Sequence, residues 1–309
     1  MSKIYSSEQH SLSKLPGVGN WGLAMGNWNN EFLDKLDFSS ISSAFEIGCA
    51  NDFYLQHLKE KAIVDLFGID PSFKEDFVSN GIYLKAGFVN SEMKLGKVFD
   101  LIYSMNVFEH IENLDEIFLF INKHLCDNGK LFFCVPNCHS QLSIGDLALF
   151  VHEHINYFTE NVLINLLNRN NFDIVRVDST SDTYYITAQK TLKIIKHNKY
   201  TIPDFDYNQK LESKLRTIVS NCEGKRILFH GVCNSLNNIL NWGYIENNYL
   251  LADNDETKQG KIFFGKVVNK PNEALLKEID VVYILPLEYS DKIIEQYINL
   301  GFRGQLNLV

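Results

Sequence analysis

Residues 44–55, AFEIGCANDFYL, constrain the fold more than any other stretch of this sequence. A short apolar run ends at Glu46, Ile47 and Gly48, and small residues follow it, so the segment predicts a β-strand that enters a tight turn and then a helix. A glycine in such a turn lets a ligand approach the backbone closely, while Asn51 and Asp52 can cap the helix and offer polar groups to the ligand. We therefore expect a binding crevice at this turn.

An acidic residue ends the next predicted strand. The run 62–69, AIVDLFGI, leads into Asp70 and Pro71, about 20 residues after the first turn, which is the usual spacing of the acidic residue that binds a ribose. A carboxylate suits that task because it can accept hydrogen bonds from two adjacent hydroxyl groups. The two turns together predict that the ligand carries a ribose.

Apolar runs and amphipathic segments continue to alternate after Asp70, and this alternation predicts a parallel α/β sheet. Ser104, Met105 and Asn106 close one of the apolar runs and are expected to lie beside the ligand. The predicted helices cover residues 54–61, 72–80, 114–125 and 159–170, and the predicted strands cover 82–86, 97–105, 130–135, 172–177 and 184–189.

The sequence also predicts how the chain is divided. Residues 1–30 are rich in glycine and asparagine and are expected to form an irregular arm or lid, followed by a short helix over 31–37. The first α/β domain is expected over 31–195, a linker over 196–209, and a second, smaller α/β domain over 210–309. The turn HGVCNS in the second domain lacks the glycines of a dinucleotide site, so we expect this domain to be a wall of the substrate cleft or a scaffold.

Composition excludes several classes of function. The net charge of −9 and the absence of a basic block make nucleic acid an unsuitable partner. The first residues do not resemble a signal peptide, and no apolar run is long enough to span a membrane, so a cytoplasmic protein is expected. The six cysteines have no regular spacing and are expected to be reduced.

Two groups of side chains invite a metal interpretation. They are Cys134, Cys138 and His139 in one group and His152, Glu153 and His154 in the other. Neither supplies four ligands, and Cys134 belongs to an apolar strand, so we predict no metal site. His110, which follows Glu109, is interpreted as a residue of a helix start at the rim of the ligand site.

Four segments in order resemble the class I S-adenosylmethionine-dependent methyltransferases, which have a Rossmann-like fold: FEIGCAND, GIDP, FDLIYSMNVFEHIENL and LCDNGKLFFCVPN. A narrower resemblance is to the sugar C-methyltransferases, whose turn EIASNDG is similar to EIGCANDF here and whose HEHxxYF segment is similar to HEHINYF. The zinc-binding module of that family has no counterpart in this sequence. Val151 stands where that family carries a tyrosine before the HEH residues.

The resemblance implies S-adenosylmethionine as the cofactor and assigns roles to particular residues. Glu46 and Gly48 are implied to line its amino acid tail and sulfonium, and Asp70 to hold its ribose. Asn51, Asp52, Pro71 and the segment from Ser104 to Asn106 are the remaining cofactor candidates. His154 is the implied catalytic base, with Glu153 orienting an imidazole or contacting substrate, whereas Tyr5, His152 and Asn237 are implied to contact the substrate.

The expected function is methyl transfer to a nucleotide-linked sugar or a related glycan precursor, at a carbon beside a ketone. Two alternatives stay open at this point. One is an O- or N-methyltransferase of the same fold that acts on a sugar or another small metabolite. The other is a noncatalytic scaffold. The expected partner is a small molecule, and the sequence leaves the oligomeric state open.

Overall fold

The computed structural model describes residues 15–151, 153–191, 206–242, 245 and 248–309. The chain forms two compact units. The described residues of 15–139 and 153–191 form the first unit, and those of 140–151 and 206–309 form the second. Each unit contains a largely parallel sheet with helices, so the predicted α/β class is confirmed.

The first unit contains eight strands, which we number along the chain. The strands are β1 (Ser43–Ile47), β2 (Asp65–Asp70), β3 (Phe77–Ser79), β4 (Ile82–Ala86), β5 (Phe99–Met105), β6 (Leu125–Pro136), β7 (Phe172–Ser179) and β8 (Thr183–Lys190). The helices are α1 (Gly19–Leu33), α2 (Phe53–Glu60), α3 (Leu114–His124), α4 (Cys138–Ile144), which runs into the second unit, and α5 (Glu160–Arg169), and a 3₁₀ turn covers Phe108–His110.

The strand order of the first sheet determines where a ligand can bind. The order is β3-β4-β2-β1-β5-β6-β8-β7, and β1 pairs in parallel with β2 on one side and with β5 on the other. The chain thus builds the sheet outward from β1 in one direction and then returns to continue from β5 in the other. The carboxyl ends of β1 and β5 flank this reversal, which is where open α/β sheets bind their ligands.

The central strands are buried on both faces, which explains why they read as continuous apolar runs. Alternate residues of a strand point to opposite faces, and Phe132 and Phe133 of β6 accordingly belong to two different apolar clusters. Every residue of β1 is buried, including Glu46. A charged side chain in such a strand therefore requires an explanation beyond packing.

The N-terminal part of the described chain differs from the prediction. A helix over residues 31–37 and irregular structure before it were expected, but α1 covers Gly19–Leu33. Asn29 supplies the physical reason, since this buried side chain donates to Tyr54 Oη at 2.8 Å and accepts from Tyr185 Oη at 2.8 Å. Tertiary contacts therefore hold a helix that the glycine and asparagine content disfavours.

The helix predicted over residues 72–80 is also wrong. This segment contains the short strand β3, which pairs antiparallel with β4. Asp76 explains the difference, because its carboxylate accepts from the backbone amide of Ala86 at 2.9 Å and from Tyr83 Oη at 2.7 Å. These long-range bonds give the segment partners that an isolated helix lacks.

The second unit has a six-stranded sheet with the order β11-β12-β10-β9-β13-β14. Its strands are β9 (Ile227–His230), β10 (Tyr249–Ala252), β11 (Ile262–Phe263), β12 (Lys266–Asn269), β13 (Val281–Ile284) and β14 (Gln305–Leu308), and all pairs except β11 with β12 are parallel. Its helices are α6 (Tyr207–Cys222), α7 (Asn234–Trp242), α8 (Glu273–Leu276) and α9 (Ser290–Asn299), and a 3₁₀ turn covers Leu287–Tyr289.

Among the described residues, no helix combines the length and the apolar character needed to cross a bilayer.

Candidate active site

The turn after β1 is shaped by a glycine. Gly48 has a φ of 72°, and a Cβ at this position would lie 2.5 Å from Val107 Cγ2. The amides of Gly48 and Cys49 both donate to the carbonyl of Ile69, at 2.8 and 3.2 Å. The turn is thereby tied to the end of β2, and Val107, just beyond β5, packs directly against it.

Asp70 connects the same turn to the end of β2. One carboxylate oxygen accepts from the amide of Ala50 at 2.8 Å and the other accepts from the amide of Ser72 at 2.8 Å. Each carboxylate oxygen has a second lone pair, so the side chain can still accept hydrogen bonds from a diol. Asp70 is buried except for 8% of its surface. The predicted ribose position thus contains a rigidly held carboxylate.

Glu46 is the charged residue buried within β1. Its Oε2 accepts a hydrogen bond of 2.8 Å from Tyr103 Oη, whereas its buried Oε1 has no hydrogen-bond partner among the residues that the structure describes. Burial raises the pKa of this carboxyl group well above its usual range, although the bond from Tyr103 opposes the shift. A cationic group nearby would therefore be strongly favoured.

Asn51 and Asp52, the other polar residues of the turn, are engaged by the protein. Asn51 donates to the carbonyl of Pro16 at 2.9 Å and accepts from the amide of Phe53 at 3.0 Å. Asp52 accepts from Gln56 Nε2 at 3.0 Å and from Ser79 Oγ at 2.8 Å. The hydrogen bonds of both side chains hold the start of α2, and their contact with a cofactor stays a prediction.

The end of β5 supplies the next group of predicted cofactor residues. Ser104 is buried and donates to the carbonyl of Ile47 at 2.9 Å, so its side chain joins β5 to β1. Met105 is buried against the Cys134 thiol. Asn106 follows the strand with a φ of 55°, and its side chain is partly exposed. Of these three residues, Asn106 has the accessible side chain at the carboxyl end of the strand.

Glu109, His110 and His154 form a compact cluster beyond this strand end. One potential ligand atom from each residue lies within 4.8 Å of those of the other two. The imidazole rings of His110 and His154 meet edge to face with centroids 4.8 Å apart. His110 Nε2 lies 3.8 Å from Glu109 Oε1. The structure thus joins His154, predicted as a base, to two residues that lie about 45 positions earlier in the sequence.

Burial governs the chemistry of Glu109. This residue is 1% exposed, and its Oε2 has no hydrogen-bond partner within the described parts of the chain. Loss of solvation raises the pKa of its carboxyl group to about 8. The protein therefore keeps beyond the end of β5 a buried carboxyl group that holds its proton at neutral pH unless a cation takes the place of that proton.

The loop that carries His154 is fastened to the 3₁₀ turn of Glu109. The amides of Ile155 and Asn156 both donate to the carbonyl of Glu109, at 2.8 and 3.0 Å. The side-chain amide of Asn156 donates to the carbonyls of Phe108 and Ile111, at 2.9 and 2.7 Å. These four bonds fix the position of His154 relative to Glu109.

The remaining predicted residues are distributed as follows. Glu153 is buried, and its carbonyl accepts from His110 Nδ1 at 3.0 Å. Asn237 lies on α7 of the second unit, where its carbonyl accepts from Asn241 Nδ2 at 2.9 Å. Pro71 is partly exposed beside Asp70. Tyr5 and His152 lie outside the described residues, so their predicted contacts with substrate stay predictions.

Sequence reasoning missed three residues of this site. It interpreted His110 as a rim residue, gave Glu109 no role, and did not single out Asn156. The sequence does place Glu109 and His110 between a predicted buried strand and a predicted helix. In a parallel sheet, residues that bind ligands gather at this position, so the pair could have been noticed. Only the fold brings this pair to the HEH segment.

A family model for a methyltransferase domain matches residues 29–177. No curated protein matches the sequence significantly. One similar solved structure is an S-adenosylmethionine-dependent methyltransferase from Mesorhizobium loti, with 14% identity, a TM-score of 0.43 and coverage of 56% of this chain and 100% of that chain.

Two further solved structures are similar. The N-methyltransferase NodS from Bradyrhizobium japonicum WM9, in complex with S-adenosyl-L-homocysteine, has 19% identity, a TM-score of 0.43 and coverage of 60% of this chain and 98% of that chain. The StiE O-MT segment has 15% identity, a TM-score of 0.43 and coverage of 62% and 81%. Values this low carry no conclusion about the acceptor.

The family match covers a little under half of the chain and lies largely in the first unit, which therefore contains a methyltransferase domain.

Proposed function

We propose that this S-adenosylmethionine-dependent methyltransferase methylates a small molecule at the cluster of Glu109, His110 and His154, and that the acceptor is a nucleotide-linked sugar or a related glycan precursor. The observation that carries the proposal is the contact between the two turns. Val107 packs against Gly48 in the turn after β1, and Glu109 follows Val107 by two residues. Cofactor turn and polar cluster are therefore neighbours at the carboxyl ends of β1 and β5.

The residues at β1 and β2 fit the cofactor. Glu46 has a buried carboxylate oxygen without a hydrogen-bond partner among the described residues, which suits a cationic group, and Gly48 leaves room for close approach. Asp70 is held by two backbone amides and retains lone pairs for the ribose hydroxyls. When bound, the cofactor supplies a methyl group on a positively charged sulfur.

The acceptor must lose a proton and meet the methyl carbon in line. For an acceptor carbon beside a ketone, His154 would take the proton from that carbon. The carbon would then bond to the methyl group as the methyl–sulfur bond breaks and its electron pair passes to sulfur. A histidine suits this task because its pKa lies near neutrality. Alignment contributes several kcal/mol and a positioned base about 10²–10⁴-fold in rate. Glu153 packs beside His110 through its carbonyl and is proposed to orient the imidazole pair.

Val151 supports a second candidate function. It stands at the position where the sugar C-methyltransferases carry a tyrosine. One side chain of the site that methylates keto sugars in that family is therefore missing here. An O- or N-methyltransferase needs only the removal of a proton from a hydroxyl or an amine, and the same imidazole can accept it.

Two measurements test the proposal. Calorimetric titration with S-adenosylmethionine checks the cofactor site, and absence of binding would contradict the proposal. Incubation with methyl-labelled cofactor and a panel of nucleotide keto sugars and hydroxy sugars, followed by NMR, locates the labelled methyl on carbon, oxygen or nitrogen. A panel on which no member is methylated, together with normal cofactor binding, would refute the sugar acceptor.

The role of His154 has its own test. His154→Ala is expected to lower turnover by about 10²–10⁴-fold because a positioned base is lost, while the affinity for S-adenosylmethionine stays within a factor of two or so. His57→Ala is the matched control, since His57 also pairs with a carboxylate, Asp34 Oδ1 at 2.7 Å, but lies on α2. Turnover retained in His154→Ala would exclude this residue as the base.

A further inference from the structure

We propose that Glu109, His110 and His154 bind one divalent transition-metal ion and that an oxygen of the acceptor completes its coordination. The second clause rests on the proposed function, because it assumes that the acceptor reaches this cluster. The first clause is independent of it. Sequence reasoning predicted no metal site because the neighbouring residues in the chain do not supply enough ligands, whereas the fold assembles a different set.

The donor atoms are close enough to share an ion. All three lie within 4.8 Å of one another, and they comprise two imidazole nitrogens and one carboxylate oxygen. Ligands of a tetrahedral ion at about 2.1 Å lie about 3.4 Å apart, so the cluster needs to contract by about 1.4 Å or less. His110 and His154 are partly exposed, which leaves their side chains more room for such a movement than a fully buried ligand would have.

The environment of His110 matches that of a metal ligand. Its Nδ1 lies 3.0 Å from the carbonyl of Glu153, and because a carbonyl can only accept, the Nδ1 atom carries a proton. In the neutral ring the lone pair is then on Nε2, which lies 3.8 Å from Glu109 Oε1. Ligating histidines usually donate their second ring N–H to a carbonyl or a carboxylate in this way.

Glu109 provides an independent observation. Its side chain is 2% accessible, and its Oε2 has no hydrogen-bond partner among the residues that the structure describes. A buried carboxylate oxygen in this condition is costly unless a cation or a proton compensates it. A bound ion between Glu109 and the two imidazoles removes that cost.

The support of the cluster is rigid. Asn156 donates from its side chain to the carbonyls of Phe108 and Ile111, on either side of Glu109 in the chain, and its backbone amide donates to the carbonyl of Glu109 itself. His154, the ligand from the distant loop, is thereby held in place, because it lies two residues before Asn156 in the chain. Sites held in this way keep their geometry when the ion dissociates.

The donor set selects the kind of ion. Two histidines and one carboxylate suit zinc, iron, cobalt or manganese, whereas magnesium and calcium prefer oxygen ligands. Three protein ligands leave at least one position open, as in catalytic rather than structural sites. The open position is available to a hydroxyl or ketone oxygen of the acceptor.

The consequence for methyl transfer to a hydroxyl is direct. A bound ion would lower the pKa of a coordinated hydroxyl, as it does for bound water, and the released proton would pass to solvent. The oxygen would then bond to the methyl carbon as the carbon–sulfur bond breaks, and the electron pair of that bond would pass to sulfur. In this arrangement His154 is a ligand instead of the base of the metal-free site, because a ring nitrogen that binds the ion cannot also accept the acceptor's proton. The chelation experiment below separates the two roles.

Titration of the full chain with Co²⁺, followed by visible absorption spectroscopy, tests the site without reference to activity. One equivalent of Co²⁺ is expected to give an absorption spectrum typical of nitrogen and oxygen ligands. Added Zn²⁺ is expected to displace the Co²⁺ and abolish this spectrum. His154→Ala and Glu109→Gln should each weaken Co²⁺ binding by at least about 100-fold, the upper range for losing even a supporting residue. The near-isosteric Glu109→Gln guards against loss of folding, which circular dichroism monitors.

His57→Ala is the control, because it removes a histidine–carboxylate pair that has no place in the cluster and should leave Co²⁺ binding unchanged. Equal Co²⁺ affinity in the wild type, His154→Ala and Glu109→Gln would overturn the site, as would a spectrum dominated by thiolate ligands. Turnover that survives exhaustive chelation but is lost in His154→Ala would also overturn it, in favour of the metal-free base. Calorimetry with S-adenosylmethionine distinguishes failure of the metal site from failure of the proposed function. Binding of S-adenosylmethionine does not depend on the ion, so its absence would contradict the proposed function alone.

Discussion

Gly48→Ala isolates the contact between the cofactor turn and the turn after β5. A side chain at a φ of 72° costs about 1–2 kcal/mol for backbone strain alone. The new Cβ would also lie 2.5 Å from Val107 Cγ2 and 3.0 Å from Val107 Cγ1, and overpacking of this kind typically costs about 1–3 kcal/mol. We therefore expect Gly48→Ala to destabilise the first unit by about 2–5 kcal/mol.

The two contributions can be separated by repeating the substitution in a Val107→Ala background. Truncation of Val107 removes both clashing methyl groups but leaves the backbone strain, so Gly48→Ala should then cost only about 1–2 kcal/mol. Scanning calorimetry measures both costs on the transition that shifts when S-adenosylmethionine is added. The affinity for S-adenosylmethionine should fall in Gly48→Ala and recover in part in the double variant. An equal cost of Gly48→Ala in both backgrounds would refute the contact as the cause.

Two further predictions concern buried ionisable groups. In Asp70→Asn, an NH₂ group faces one of the two backbone amides that donate to this side chain, so two donors oppose each other. The affinity for S-adenosylmethionine, measured by calorimetric titration, should therefore fall about 10–100-fold. An unchanged affinity would contradict the ribose role of Asp70. Burial lowers the pKa of His230 to about 4 in the folded protein, with Asp253 opposing the shift. The unfolded chain, with its histidine pKa near 6.5, therefore binds the proton first as the pH falls, and stability of the order of 3 kcal/mol is lost between about pH 6.5 and 4. His230→Gln, which can still bond to Tyr297 Oη, should flatten this dependence in thermal unfolding, and an unchanged slope would show that another group is responsible.

The sheet of the first unit was predictable because its central strands are buried on both faces. Such strands are short continuous apolar runs, and the alternation with helices fixes their parallel direction. The turn at Gly48 and the acid at Asp70 follow from the same logic, since ligands gather at carboxyl strand ends. Local sequence therefore carried most of the fold and the frame of the candidate site.

The segments that sequence reasoning missed depend on distant partners. Helix α1 is held by Asn29, whose side chain lies between Tyr54 and Tyr185 and is not distinguishable from a loop asparagine in the sequence. The polar cluster beyond β5 is a second case, because the bonds that Ile155 and Asn156 make bring Glu109 and His154 together. Single-sequence patterns contain no information about such pairings.

The second unit repeats one hydrogen-bonding arrangement of the first, in which an acidic side chain at the end of a strand accepts from a backbone amide of a neighbouring turn. Asp253, directly after β10, accepts from the amide of Val232 at 2.8 Å, as Asp70 accepts from the amide of Ala50. In the second unit, however, Lys258 Nζ lies 3.2 Å from the same oxygen of Asp253 and also donates to the carbonyl of Val232 at 3.1 Å. Oδ2 of Asp253 thus has two donors within the chain, whereas each carboxylate oxygen of Asp70 accepts from one backbone amide. This carboxylate therefore stabilises a turn, and the expectation that the unit lacks a dinucleotide site of its own stays a prediction from the missing glycines.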